Sequence, residues 1–198
     1  MTTARDEEFM RRALTLAERG WGQTAPNPMV GAVIVREGNV VGEGWHEVFG
    51  GAHAEVNAID RAGDDARRAT VYLTLEPCNH TGKTPPCVDA LIAAQVARVV
   101  IATPDPGAHS GGGSTRLRDA GIEVETGILE AEARELNAPF FHSFVSDRPW
   151  VTLKLALSID GAIADSERGR AWLSNEESRA EVHRMRANVD AIAVGATT

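Results

Sequence analysis

The 198-residue sequence lacks any long hydrophobic run. No apolar stretch approaches the roughly 18 residues that a membrane-spanning helix requires. The N-terminus also lacks the apolar segment of a secretory signal, because Asp6, Glu7 and Glu8 come before any apolar stretch. We therefore expect a cytoplasmic protein with no membrane partner.

Positive charge is scarce as well. The chain carries 20 basic against 28 acidic residues, which gives a formal net charge of −8. An acidic surface repels a phosphate backbone, so the composition argues against a sequence-independent nucleic-acid binder. The hydrophobic fraction of 43% is typical of a globular protein and excludes disorder as the main state.

Cysteine is limited to Cys78 and Cys87, which are too few for a disulfide framework. In a reducing compartment, a close pair of cysteines more often binds a metal or takes part in catalysis. A disulfide between the two is the less favoured alternative.

Strand and helix patterns alternate over the first three quarters of the chain. Apolar runs predict strands at 30–35, 40–45, 70–75, 98–103 and 122–124. Helical spacing predicts helices at 5–19, 53–62 and 87–94, a short helix ending at Ala120, and one at 130–144. This alternation predicts a mostly parallel sheet that is covered by helices.

A linker signal at 146–149 predicts two domains, at residues 1–146 and 147–198. The second stretch has a strand pattern at 151–157, a helix at about 175–186 and another strand at 190–194. About 50 residues make a very small domain, and one such unit leaves sheet edges and faces uncovered. We expect this stretch to be the beginning of a larger domain.

The strongest functional signal combines His53-x-Glu55 with Pro77-Cys78 and Cys87. It matches the H-x-E…P-C-x-x-C signature of zinc nucleobase deaminases, apart from a longer gap between the cysteines. Zinc favours imidazole and thiolate ligands, and three protein ligands leave its fourth position to water. Glu55 would then handle protons beside the metal without binding it.

The segment between the cysteines leaves two questions open. His80, two residues beyond Cys78, would be the fourth ligand if the zinc site were closed and structural. The run GKT at 82–84 is not a phosphate-binding P-loop, because that motif requires a glycine where the chain has Pro77. Lys83 either meets a substrate phosphate or is a solvated surface lysine, and spacing alone does not distinguish the two.

Three runs together resemble the bifunctional deaminase/reductase family of riboflavin biosynthesis: APNPxVGAV at 25–33, HAE at 53–55 and LEPCxHxGKTPPC at 75–87. The long insert between the two cysteines is specific, because the corresponding segment of cytidine and tRNA-adenosine deaminases resembles the shorter P-C-x-x-C. The resemblance continues through KLAxSxDG at 154–161 and WxS at 172–174, which are similar to the opening of that family's NADPH-dependent reductase domain.

The resemblance implies a cytidine deaminase-like α/β fold, three-layered α/β/α with a mostly parallel mixed sheet, followed by the start of a dihydrofolate-reductase-like reductase domain. It implies hydrolytic removal of the 2-amino group from a diaminopyrimidinone that carries a ribosylamino 5′-phosphate. The implied cofactor is zinc, with NADPH added only if the reductase domain were complete. The implied assembly is a homo-oligomer.

The resemblance also assigns roles by position. It places zinc on His53, Cys78 and Cys87 and acid–base catalysis on Glu55. Substrate contacts fall on Asn27, His46, His80, Lys83 and Asp105. In the reductase part, cofactor contacts fall on Ala156, Trp172 and Thr198, and a substrate contact on Arg186.

Two positions depart from the family pattern. Pro106-Gly107 follows Asp105 where the family usually has Asn-Pro, and Arg170 stands where it often has a substrate-binding serine. Two other classes also stay open: a zinc deaminase of free nucleobases or tRNA, and a non-catalytic zinc-stabilised oligomerisation module. The acidic charge argues against tRNA, and Lys83 favours a phosphorylated small substrate.

Overall fold

Residues 4–82, 85–163 and 173–195 are described by the structure, a computed structural model. The chain divides into two units, Met1–Asp147 and Arg148–Thr198. Three residues of the predicted sites, Lys83, Trp172 and Thr198, lie outside the described ranges. No helix within those ranges is both long enough and apolar enough to cross a bilayer.

The first unit is built on five strands: β1 (Gly31–Arg36), β2 (Asn39–Trp45), β3 (Thr70–Leu75), β4 (Arg98–Thr103) and β5 (Glu123–Thr126). Its helices are α1 (Ala4–Ala17), α2 (Ala54–Ala62), α3 (Cys87–Ala93), α4 (Gly113–Asp119), α5 (Glu130–Leu136) and α6 (Ala138–Ser143). The second unit contains α7 (Glu176–Arg186), which begins after Asn175.

The strands form one mixed sheet in the order β2-β1-β3-β4-β5. Strand β1 runs antiparallel to both neighbours, while β3, β4 and β5 are parallel to one another. The C-terminal ends of β2, β3 and β4 therefore meet the N-terminal end of β1 at one edge. The segments next to these strand ends carry Asn27, His46, Cys78 and Asp105.

Two apolar clusters cover the two faces of the sheet, because successive strand residues point to opposite sides. Ala32 and Ile34 pack in the cluster that includes α2, α3 and α4. Val33 and Val35 pack in the cluster that includes α1 and α5. The predicted α/β fold with three layers and a mixed sheet is confirmed.

The backbones of strand β2 and helix α2 lie in close contact. A Cβ atom added to Gly44 would lie 2.3 Å from the carbonyl oxygen of Ala54, and one added to Gly42 would lie 2.4 Å from that of Ala58. Only glycine fits these two positions without displacing the helix. The position of α2, and of His53 immediately before it, is therefore fixed by this contact.

Two sequence predictions were wrong. The predicted helix at 130–144 is two helices that meet at Asn137, whose φ is −113°. Pro139 explains the break, because it lies in the first turn of α6, where its missing N–H and its ring prevent a hydrogen bond to the turn before it.

The second wrong prediction concerns the strands at 151–157 and 190–194. Neither segment is a strand among the described residues of the second unit. A strand requires a hydrogen-bonded neighbour, and the described part of this unit supplies none. No described residue of the second unit is buried.

Candidate metal centre and substrate cavity

Three candidate metal ligands meet where α2 and α3 begin. His53 immediately precedes α2, Cys87 is the first residue of α3, and Cys78 follows β3. The Nδ1 atom of His53 lies 3.1 Å from Cys87 Sγ and 3.6 Å from Cys78 Sγ. All three ligand atoms lie within 4.8 Å of one another. One zinc ion, with bonds of about 2.0–2.1 Å to nitrogen and about 2.3 Å to sulfur, spans such a set.

The protonation of the two thiols also fits a divalent cation. Both cysteines are free and buried, so no disulfide joins them. Cys87 hydrogen-bonds to Cys78 through its thiol and through its backbone N–H, whose nitrogen is 3.3 Å from Cys78 Sγ. The bond from the Cys87 thiol lowers the pKa of Cys78, with a further contribution from His53, while it raises the pKa of Cys87. A cation would stabilise the second thiolate, so this donor set fits zinc.

Glu55 lies in the first turn of α2, two residues after His53. Its side chain is buried, with 3% of the residue exposed, and it lines a cavity beside the ligands. Burial raises the pKa of Glu55 to about 7. A carboxyl group with a pKa near neutrality both accepts and releases protons at neutral pH, which is what a general acid–base catalyst requires.

The cavity has a volume of about 320 Å³. Among the substrate contacts that the sequence implied, four line it together with Glu55: Asn27, His46, His80 and Asp105. Ala156 and Arg186 belong to the second unit, where Ala156 is partly buried and Arg186 is exposed. The cavity therefore brings together Glu55 and the described first-unit residues to which the sequence assigned substrate contacts.

His46 and Asn27 fix each other's orientation. His46 is 2% exposed, and its Nδ1 atom lies 3.1 Å from the carbonyl oxygen of Ala52, so Nδ1 carries the proton and donates it. Its Nε2 atom then accepts from the Nδ2 group of Asn27 at 3.2 Å. Burial lowers the pKa of His46, which favours this neutral form. The amide oxygen of Asn27 is left to face a ligand as an acceptor.

Glu76 holds the loop that carries Asp105. Its carboxylate accepts from the backbone nitrogen of Asp105 at 3.1 Å and from that of Ser114 at 2.8 Å. Asp105 Oδ1 in turn accepts from the backbone nitrogen of Gly107 at 2.7 Å. Gly107 therefore gives this carboxylate an N–H that a proline at the same position, as in the usual Asn-Pro pattern, would lack. Burial raises the pKa of Asp105.

Sequence reasoning missed three aromatic residues of the cavity, Phe49, Phe140 and Phe144. Single phenylalanines carry no spacing signal, so no pattern pointed to them. It also missed Asn137, whose side chain bonds to both backbone groups of Met29, 108 residues earlier.

The fold and the His-Cys-Cys centre beside a buried glutamate define a zinc-dependent deaminase class. The family model "Cytidine and deoxycytidylate deaminase zinc-binding region" matches residues 3–103, and the chain belongs to this family. A second model, the RibD C-terminal domain, matches residues 149–198.

The particular relatives are riboflavin biosynthesis proteins, which confirms the resemblance seen in the sequence. The chain is 49% identical to RibD of Aquifex aeolicus over 194 residues, which is 98% of this chain and 54% of the relative. It is 47% identical to RibD of Escherichia coli over 194 residues, 98% of this chain and 53% of that one. The chain thus spans about half the length of these relatives.

Solved structures give the same result. Acinetobacter baumannii RibD superposes with a TM-score of 0.83 at 46% identity, over 92% of this chain and 52% of that chain. A diaminohydroxyphosphoribosylaminopyrimidine deaminase/5-amino-6-(5-phosphoribosylamino)uracil reductase from Thermotoga maritima superposes with a TM-score of 0.85 at 45% identity, over 92% and 53%. The predicted cytidine deaminase-like fold is confirmed.

Proposed function

We propose that this chain hydrolyses the 2-amino group of 2,5-diamino-6-(5-phosphoribosylamino)pyrimidin-4(3H)-one, a step of riboflavin biosynthesis. The observation that carries the proposal is the buried Glu55 in a cavity that His53 and Cys78 also line, with Cys87 completing the ligand cluster. The activity named for the Thermotoga maritima relative supplies the substrate class.

In the proposed reaction, Glu55 moves the protons. His53, Cys78 and Cys87 would hold zinc, which when bound lowers the pKa of water to about 7 and so supplies a hydroxide nucleophile. Glu55 accepts the proton of the attacking water and delivers it to the ring nitrogen beside the amine-bearing carbon, which makes that carbon electrophilic. The carboxylate of Glu55 then takes the proton of the added hydroxyl group and delivers it to the amine, which leaves as ammonia while the C–N bond breaks and the C=O bond forms.

An open metal site favours catalysis over a purely structural zinc. Among the described residues, the only group of at least three potential ligands consists of His53, Cys78 and Cys87, without His80. His80 is exposed and lines the cavity instead. Its place on the cavity supports the substrate-contact role over that of a fourth ligand.

We further propose that residues 147–198 begin a reductase domain that would use NADPH when complete. The match of residues 149–198 to the RibD C-terminal domain supports this assignment. Within this unit, Ala156, Arg186, Trp172 and Thr198 keep the roles that the resemblance implies. The homo-oligomer and the cytoplasmic location also stay predictions, and sedimentation of the purified chain tests the first.

Release of ammonia tests the deaminase directly. The zinc-loaded chain is incubated with the phosphorylated pyrimidine and, in parallel, with cytosine, guanine and tRNA. Ammonia from the phosphorylated pyrimidine alone supports the proposal. Ammonia from one of the others favours another zinc deaminase, and a zinc-loaded chain that releases none from any of them favours the oligomerisation module.

A further inference from the structure

Large apolar side chains are exposed at the substrate cavity. Phe49 is 43% exposed and Phe144 is 47% exposed, and both line the cavity with the partly buried Phe140. Clustered apolar surface of this kind marks a binding site, because its contact with water is unfavourable until a ligand covers it.

The phenylalanine rings in α6 and directly after it pack against one another, beginning with the buried Phe141. Phe141 is 7% exposed, and the Arg134 guanidinium carbon lies 4.5 Å from its ring centroid. Phe140 makes an edge contact with Phe141 at 5.5 Å and another with Phe144 at 5.1 Å. Such edge-to-face pairs restrict ring orientation. The cavity therefore presents Phe140 and Phe144 as an oriented pair.

The start of α6 is tied to another wall of the same cavity. Asn137, which is 5% exposed, donates from Nδ2 to the carbonyl oxygen of Met29 at 2.8 Å and accepts from its backbone nitrogen at 2.8 Å. Pro28 and Val30, on either side of Met29, line the cavity. The aromatic pair is thus fixed relative to the segment that carries Asn27.

We propose that Phe140 and Phe144 form a stacking platform for the planar heterocyclic ring of the substrate; this rests on the proposed function. The polar groups of the cavity, such as Asn27 and Asp105, bind the edges of a ligand through hydrogen bonds. A planar ring also has two apolar faces, and aromatic side chains are the groups that cover them.

The platform strengthens binding of the substrate and does not change the rate of the deamination step. The ring is planar before attack, so the stacking contact already exists in the ground state, and its loss raises KM with little change in kcat. Stacking on an aromatic side chain strengthens binding of a heterocycle by about tenfold.

The test compares Phe140→Leu and Phe144→Leu with Val145→Ala, a control at a position that is 82% exposed and does not line the cavity. We expect KM for ammonia release to rise about tenfold in each leucine variant, with kcat and zinc content close to the parent values. Phe144→Tyr should leave KM near the parent value, because it retains an aromatic ring. The Ki of ribose 5-phosphate, which has no heterocycle, should stay the same in all variants.

Unchanged KM in both leucine variants overturns the platform. A parallel loss of ribose 5-phosphate affinity also overturns it, since that would indicate general damage to the cavity. If the unmodified chain releases no ammonia, the proposed function fails by itself. The platform is then judged by the Kd of the phosphorylated pyrimidine for the zinc-loaded parent and variants, where equal values or no binding at all reject it.

Discussion

At the scale of single residues, the residues proposed for metal binding and for proton transfer, His53 and Glu55, are two positions apart at the start of α2. His53 directs Nδ1 to the two cysteines, while Glu55 is buried beside them without belonging to the ligand cluster. A change at Glu55 should therefore affect the reaction and leave the metal in place.

Glu55→Gln keeps the size of the side chain but removes its ability to accept and release a proton. General acid–base catalysis contributes about 10²–10⁴-fold, so we expect kcat to fall by at least that range. Zinc content should stay near that of the parent. Ammonia release and metal analysis of the same sample check both, and a near-parental rate would contradict the assigned role.

Cys87→Ser and His80→Ala separate an open zinc site from a closed one. Cys87 belongs to the three-ligand cluster, so its loss should reduce zinc from about one ion per chain to a small fraction. The thermal unfolding temperature should fall as well, because metal binding stabilises the folded state. His80→Ala should retain its zinc, and loss of the metal from this variant would instead support the closed site.

Lys83→Ala tests recognition of the phosphate. Lys83 lies outside the described residues, so this prediction depends on the sequence alone. A hydrogen bond to a charged group contributes about 1.5–3 kcal/mol, so binding of the phosphorylated substrate should weaken about tenfold or more. The loss should shrink with the dephosphorylated nucleoside. Equal losses for both would assign Lys83 to the structure of the loop.

At the scale of elements, the contact between β2 and α2 determines where the metal ligand before α2 lies. Gly42 and Gly44 allow the helix backbone to touch the strand, and Ala54 and Ala58 keep the facing side of the helix small. Displacement of this helix would move His53 and Glu55 together.

Gly44→Ala should therefore reduce both stability and metal affinity. The new methyl group would overlap the carbonyl oxygen of Ala54, and overpacking of this kind costs about 1–3 kcal/mol. Thermal unfolding of the zinc-free chain measures the first effect, and zinc titration measures the second. Asn39→Ala, at an exposed position of the same strand, is the control and should change neither.

The sequence predicted elements wherever local pattern determines structure. The strands at 70–75 and 98–103 and the onset of α3 at Cys87 agree with the structure, because their apolar runs end in clear loop signals. The break at Asn137 was missed because the apolar spacing of 130–144 continues across Pro139. Similarly, the motif pointed to His53, Glu55, Cys78 and Cys87, but the aromatic pair reaches the cavity only through folding of distant segments.

At the scale of the whole molecule, the two units differ in how they are stabilised. Both apolar clusters, the ligand cluster and the cavity belong to the first unit. The described part of the second unit exposes its large apolar residues, with Val151 and Leu153 both 79% exposed. The first unit therefore has its own core.

A chain that ends at Asp147 should keep its zinc and its deaminase kcat/KM within about twofold of the 198-residue chain, because all described residues of the cavity are retained. Matched ammonia assays of the two chains measure this. The 198-residue chain should show no NADPH oxidation with the deaminated product. A deaminase rate that collapses on truncation would show that the second unit contributes to the first.

The two hydrogen bonds between Asn137 and Met29 join parts of the chain that are synthesised far apart in time. The two residues are 108 positions apart, and the three metal ligands lie between them. Since a chain leaves the ribosome from its N-terminus, a nascent chain that has not yet reached Asn137 already contains every metal ligand but not the residue that ties α6 to the cavity.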